Sequence, residues 1–138
     1  MTAALALLAR LVVGGLLLVA GALKLRAPVA FATEIANYQL FPAVAPYLGA
    51  ILPLVELTIG LSLILAPRAW RRGAALGALA LFATFTVAVA SAYLRRINID
   101  CGCFGTGGGP ITALTLARNV GLMTAAALAL RFDRGSER

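Results

Sequence analysis

The stretch that decides the fold is RRGAALGALALFATFTVAVASAYLRR, residues 71–96. Between its two pairs of arginines no side chain is charged, and most are alanine, leucine, valine or phenylalanine. Roughly 20 helical residues cross the hydrocarbon core of a bilayer, and only a helix or a closed barrel satisfies the backbone there. Residues 73–94 are therefore predicted to form a membrane-spanning helix with arginines at both of its ends.

Three further apolar runs of similar length extend this prediction to the whole chain. The fold class is an all-α membrane protein, a four-transmembrane-helix bundle forming a single domain over residues 1–138. Hydrophobic residues make up 62% of the chain, which is more than a soluble domain of this size can bury. The first run is expected to stay as a signal anchor, because it is too long for a cleaved signal peptide. The spans are expected at about 4–25, 47–66, 73–94 and 112–130.

The basic residues predict the orientation of the bundle. In a four-span protein the N-terminus, the connection between the second and third spans, and the C-terminus lie on the same side of the membrane. These three segments together carry more basic residues than the two connections on the other side. We therefore expect a multi-pass protein of the plasma or inner membrane with both termini cytoplasmic and the connection 98–110 extracytoplasmic. The net charge is +7, and the basic residues lie between the apolar runs rather than in one patch. Membrane lipid is therefore an expected partner, and nucleic acid is not. The chain has no histidine, which excludes imidazole bases and histidine metal ligands.

A short amphipathic helix is predicted between the first two spans. Pro28 suits the first position of a helix, and Phe31, Ile35 and Tyr38 then recur at helical spacing. Pro42 is expected to end the pattern. The helix would lie in the outer interface of the membrane, and an ordered loop without helix is the alternative.

Three ionisable residues, Lys24, Glu56 and Arg118, fall inside or at the edge of the predicted spans. A charge in hydrocarbon costs roughly 2.5–3.5 kcal/mol on insertion scales, so such residues usually face the bundle interior and pair. We expect Glu56 to pair with Arg118, directly or through water. The alternatives are a protonated, hydrogen-bonded Glu56, an Arg118 tied to backbone carbonyls or to Asn119, and a Lys24 that snorkels to the interface.

The reactive site is predicted in the segment NIDCGCFG, residues 98–105, which contains both cysteines of the chain. Gly102 separates Cys101 from Cys103, and its permissive backbone would let a tight, strained and therefore oxidising disulfide close. Thiol–disulfide exchange is the favoured interpretation, with Lys24 and Arg118 as cations that would favour thiolates. Two alternatives stay open. The thiolates could bind a soft ion such as Cu(I) or Zn(II), or the disulfide could only shape a docking loop of a non-enzymatic scaffold or assembly factor.

Several short segments of the sequence together resemble the MauE/DoxX group of redox-associated membrane proteins, and specifically the methylamine-utilisation MauE type. The matching segments follow in order along nearly the whole chain: AGALKL (20–25), NYQL (37–40), LPLVEL (52–57), GL (60–61), DCGCFG (100–105) and RN (118–119). The resemblance implies a four-helix membrane protein that works with an extracytoplasmic thioredoxin-like partner and supports disulfide formation or maturation of secreted proteins. Cys101 and Cys103 would be the catalytic pair of a thiol–disulfide oxidoreductase, with no metal ligand. The supporting residues would be Asp100, Gly102, Phe104, Lys24, Glu56, Arg118 and Asn119.

The architecture is also similar to the membrane-bound vitamin K epoxide reductase bundle, which couples cysteines to a quinone. That family carries a C-x-x-C pair, whereas Cys101 and Cys103 are spaced C-x-C. The resemblance therefore implies no certain cofactor, and a quinone is the candidate.

Overall fold

The computed structural model describes residues 2–97 and 111–135, in which there are five α-helices and no strand. The helices are α1 (Thr2–Arg26), α2 (Pro28–Asn37), α3 (Ala45–Leu65), α4 (Arg68–Leu94) and α5 (Ala113–Gly135), with a 3₁₀ turn at Pro42–Val44 before α3. Four of them are long and apolar enough to cross a membrane. The predicted all-α, four-span fold is confirmed, and α2 is the short helix expected between the first two spans.

Helix α4 is longer than the sequence pattern indicated. It begins at Arg68, before the expected start at Gly73, because the extended backbone of Pro67 caps it directly. Arg71 and Arg72 therefore lie on the first turns of the helix rather than ahead of it. At the other end Arg96 adopts a left-handed φ of 55° and donates its backbone N–H to Tyr93 O, which closes the helix.

The tightest packing joins α1 to α3, which run antiparallel. A Cβ added at Gly14 would lie 3.0 Å from Gly60 O, and a Cβ added at Gly60 would lie 2.9 Å from Gly14 O. Gly21 meets the α3 backbone in the same way. Without side chains at these positions the two backbones approach closely, as small residues permit in membrane helices. Arg10 Nε adds a hydrogen bond of 2.9 Å to Leu63 O along the same contact.

The described side chains divide between a buried core and an apolar exterior. Val13, Leu17 and Leu63 belong to the core, and α4 and α5 contribute alanines and Phe82 to it. Outward-facing leucines remain largely exposed, including Leu94 at 79%. Only 17–33% of the apolar window of each span is buried within the bundle, so lipid has to cover the rest.

Candidate functional site

A buried ion pair joins α1 to α3. Lys24 Nζ donates to Glu56 Oε1 at 2.5 Å, and the two side chains are 0% and 1% exposed. Lys24 lies in the last turn of α1, and the close approach of α1 and α3 through their glycines brings its side chain inward to α3. The snorkelling alternative for Lys24 is therefore wrong, and the expectation that Glu56 faces the bundle interior is correct.

Two phenyl rings complete the surroundings of the Lys24 ammonium. Nζ lies 5.0 Å from the ring centre of Phe31 on α2 and 4.9 Å from that of Phe85 on α4. Ring faces attract a cation most strongly when water is excluded. One carboxylate oxygen and two rings thus take the place of the water that this ammonium would otherwise bind. Sequence reasoning missed both phenylalanines, although the helical spacing of Phe31 already placed it on the apolar face of α2.

The predicted pairing of Glu56 with Arg118 is wrong. Glu56 is paired with Lys24, whereas Arg118 lies on the exposed face of α5. Its neighbour Asn119 faces inward and is 3% exposed. Successive residues on a helix point about 100° apart, so only one of these two adjacent side chains can enter the core.

Tyr38, just beyond the end of α2, lies in a second group of ionisable residues. Burial raises the pKa of Tyr38 to about 12, the Glu34 carboxylate adds to the rise, and the Arg118 guanidinium opposes it. The Tyr38 hydroxyl therefore keeps its proton further into the alkaline range than a solvent-exposed tyrosine does. Arg95 Nη2 donates to the Tyr38 backbone carbonyl at 2.5 Å, which fixes this residue to the end of α4. Glu34 was not among the functional residues predicted from the sequence.

The cysteine segment is attached next to this group. Asp100, Cys101, Gly102, Cys103 and Phe104 lie in residues 98–110, outside the described part of the chain. The residues that flank the segment, Ile97 and Ile111, both pack against a buried cluster formed by Tyr38, Val89 and Ala92. The two attachment points of the cysteine segment therefore lie at the end of the bundle where Tyr38, Glu34 and Arg118 interact.

Two cavities adjoin these residues. The larger one has a volume of about 470 Å³ and lies between α2, α3 and α4. Its walls are mostly apolar, with the rings of Phe31, Phe41 and Phe85, and Glu34 and Tyr38 are its ionisable members. The smaller one has a volume of about 10 Å³, and Glu56 and Asn119 line it. Within residues 2–97 and 111–135 there is no group of three acidic or cysteine residues placed to hold a metal ion.

These features define a multi-pass helical membrane protein with a buried lysine–glutamate pair, in which the residues that flank the two-cysteine segment lie at one end of the bundle. The family described as "Methylamine utilisation protein MauE" matches residues 2–132, and the chain belongs to this family. The resemblance of the sequence to the MauE type is thereby confirmed.

A relative named "Methylamine utilization protein MauE", from Paracoccus denitrificans, is 40% identical over 119 residues. The match covers 83% of this chain and 62% of the relative, so the chain spans less than two thirds of the relative's length. No solved structure matches the chain.

Proposed function

We propose that this chain is the membrane member of a thiol–disulfide relay. Cys101 and Cys103 exchange electrons with an extracytoplasmic thioredoxin-like protein and so support the formation of disulfides or the maturation of secreted proteins. The observation that carries the proposal is the attachment of the cysteine segment through Ile97 and Ile111 to the cluster around Tyr38. Both flanking residues pack on the cluster that includes Tyr38, and the charges of Glu34 and Arg118 act on this tyrosine. The family and the name of the relative extend the proposal to methylamine utilisation.

The exchange balances without any further reactant. A partner thiolate attacks one sulfur of the Cys101–Cys103 disulfide, the S–S bond breaks, and the other cysteine leaves as a thiolate. The second thiol of the partner, as its thiolate, then attacks the mixed disulfide and releases the first cysteine. The partner has lost two electrons and the cysteine pair has gained them. Run in reverse, the same steps reduce the partner. A cation such as Arg118 near the segment would stabilise either departing thiolate.

A quinone fits the larger cavity. Its volume of about 470 Å³ lies in the range typical of small-molecule sites, and its phenyl walls suit a flat apolar ring. Glu34 and Tyr38, the ionisable residues of the wall, would provide the polar contacts of a quinone head group. Phe31, Phe41 and Phe85 would hold the ring. A bound quinone would supply an acceptor for two electrons from the reduced cysteine pair.

Trapping of mixed disulfides tests the relay. In the reverse direction one cysteine of this chain attacks the disulfide of an oxidised partner, and the other cysteine of this chain resolves the mixed disulfide. With that second cysteine removed, Cys101→Ser or Cys103→Ser should accumulate a covalent complex with an oxidised thioredoxin-like protein. The double serine variant is the matched control and should trap nothing. The complex should disappear on reduction and should be identified by mass spectrometry.

Two outcomes would replace the proposal. If neither single variant captures a thioredoxin-like protein while the double variant supports full function, the chain acts as a scaffold or assembly factor. If the reduced protein instead binds one Cu(I) or Zn(II) through both thiolates, the pair handles a soft metal.

A further inference from the structure

The small cavity between α1, α3, α4 and α5 is lined by two residues that each carry a buried polar atom without a partner. Glu56 Oε2 and Asn119 Nδ2 each lack a hydrogen-bond partner within the described residues. Glu56 is 1% exposed and Asn119 is 3% exposed, so bulk water does not reach them. Both residues line the same cavity, and its other walls are aliphatic and phenyl side chains that include Ala20 and Phe85. A buried acceptor and a buried donor thus belong to two residues that line one small cavity.

The size and chemistry of this cavity select its occupant. Its volume of about 10 Å³ is close to the space that one water molecule needs. Glu56 Oε2 can only accept a hydrogen bond when ionised and Asn119 Nδ2 can only donate one, and water does both. A cation does not fit this pattern, because the Lys24 ammonium is already bonded to the same carboxylate and the Asn119 amide presents hydrogens. A larger ligand has no room.

We propose that the cavity binds one internal water, which accepts a hydrogen bond from Asn119 Nδ2 and donates one to Glu56 Oε2. Both carboxylate oxygens of Glu56 are then engaged, Oε1 by Lys24 and Oε2 by the water. The resulting network runs Lys24–Glu56–water–Asn119 and connects α1, α3 and α5 in the interior of the bundle. Asn119 acts as a positioning residue, because it holds Glu56 opposite Lys24 through the water. This inference is independent of the cysteine chemistry.

Infrared spectroscopy of the full chain in lipid vesicles tests the water directly. Exchange of the solvent from H₂¹⁶O to H₂¹⁸O shifts the O–H stretches of water and not those of the protein, so it assigns a band to water. Bulk water shifts as well, and the internal water is told apart because its second O–H faces the apolar wall without an acceptor and absorbs as a narrow band above the broad band of bulk water. The band should be present in the wild type and lost in Asn119→Leu, which removes the donor. Thr124→Val is the matched control on α5, since the exposed Thr124 hydroxyl bonds to Val120 O of its own helix. The control should keep the band.

Ala20→Val provides a second variant should Asn119→Leu fail to fold. It leaves Glu56 and Asn119 intact but places two methyl groups at a wall of the cavity, so the band should again disappear. The absence of an isotope-sensitive internal band in the wild type would overturn the proposal. So would a band that persists in either variant, because that water would lie elsewhere.

Discussion

Substitution of either Lys24 or Glu56 should lower the free energy of unfolding of the bundle. The double substitution should lower it by less than the sum of the two single effects. Both side chains are almost fully buried, so no solvent screens the charge that a single substitution leaves behind. Breaking a buried pair costs about 3–5 kcal/mol in soluble proteins. Polar contacts between membrane helices are weaker because the unfolded chain in the membrane also finds partners. We therefore expect about 1–3 kcal/mol for Lys24→Met or Glu56→Gln, and a coupling of at least about 1 kcal/mol.

Reversible unfolding of the purified protein in bicelles measures these free energies in a double-mutant cycle. The matched control is the cycle of Glu56→Gln with Arg118→Gln, because Arg118 lies on the exposed face of α5. That control should be additive to within about 0.5 kcal/mol. Strict additivity of Lys24→Met with Glu56→Gln, or strong coupling between Glu56 and Arg118, would refute the reasoning.

Three further predictions follow from the packing, the buried phenol and the expected topology. Gly60→Ala should lower the free energy of unfolding by about 1–3 kcal/mol, because the new Cβ would lie 2.9 Å from a backbone oxygen of α1. Gly15→Ala is the control and should be near neutral, because the space around Gly15 is open. Equal effects of the two substitutions would contradict the close α1–α3 contact. Because the pKa of Tyr38 rises to about 12, the folded state keeps a proton that the unfolded state loses above about pH 10. The free energy of unfolding should therefore fall by about 1–3 kcal/mol between pH 10 and 12, and Tyr38→Phe should remove this part of the loss. An unchanged pH profile in that variant would count against the buried phenol. A membrane-impermeant thiol reagent should label reduced Cys101 and Cys103 in intact cells, and labelling only after permeabilisation would reverse the predicted orientation.

The four-span fold was predictable because the bilayer imposes it. An uncharged apolar run such as residues 73–94 has no stable alternative to a helix in lipid, so composition and length suffice. The start of α4 was less predictable. Arginines usually mark the end of a span, but Arg71 and Arg72 are good helix formers and continue the helix back to Pro67. The boundary therefore depends on the proline rather than on the charges.

The partner of Glu56 was not predictable from depth alone. Glu56 and Arg118 are only a few residues apart when each is counted from the outer end of its predicted span, but depth does not say which way a side chain points around its helix. The direction is decided by packing. Gly14 and Gly60 draw α1 against α3, and Lys24 then lies beside Glu56 while Asn119, not Arg118, occupies the inward face of α5.

The reduction potential of the Cys101–Cys103 pair tests the central claim most directly. The full-length protein, purified in lipid, is equilibrated in glutathione buffers of graded composition, and the fraction of oxidised pair is read by thiol alkylation and mass spectrometry. A disulfide closed across the single residue Gly102 should be strained and should exchange readily, so we predict a two-electron transition at a potential above about −300 mV. A potential below that value, in the range of structural disulfides, would contradict the relay and assign the pair to a scaffold.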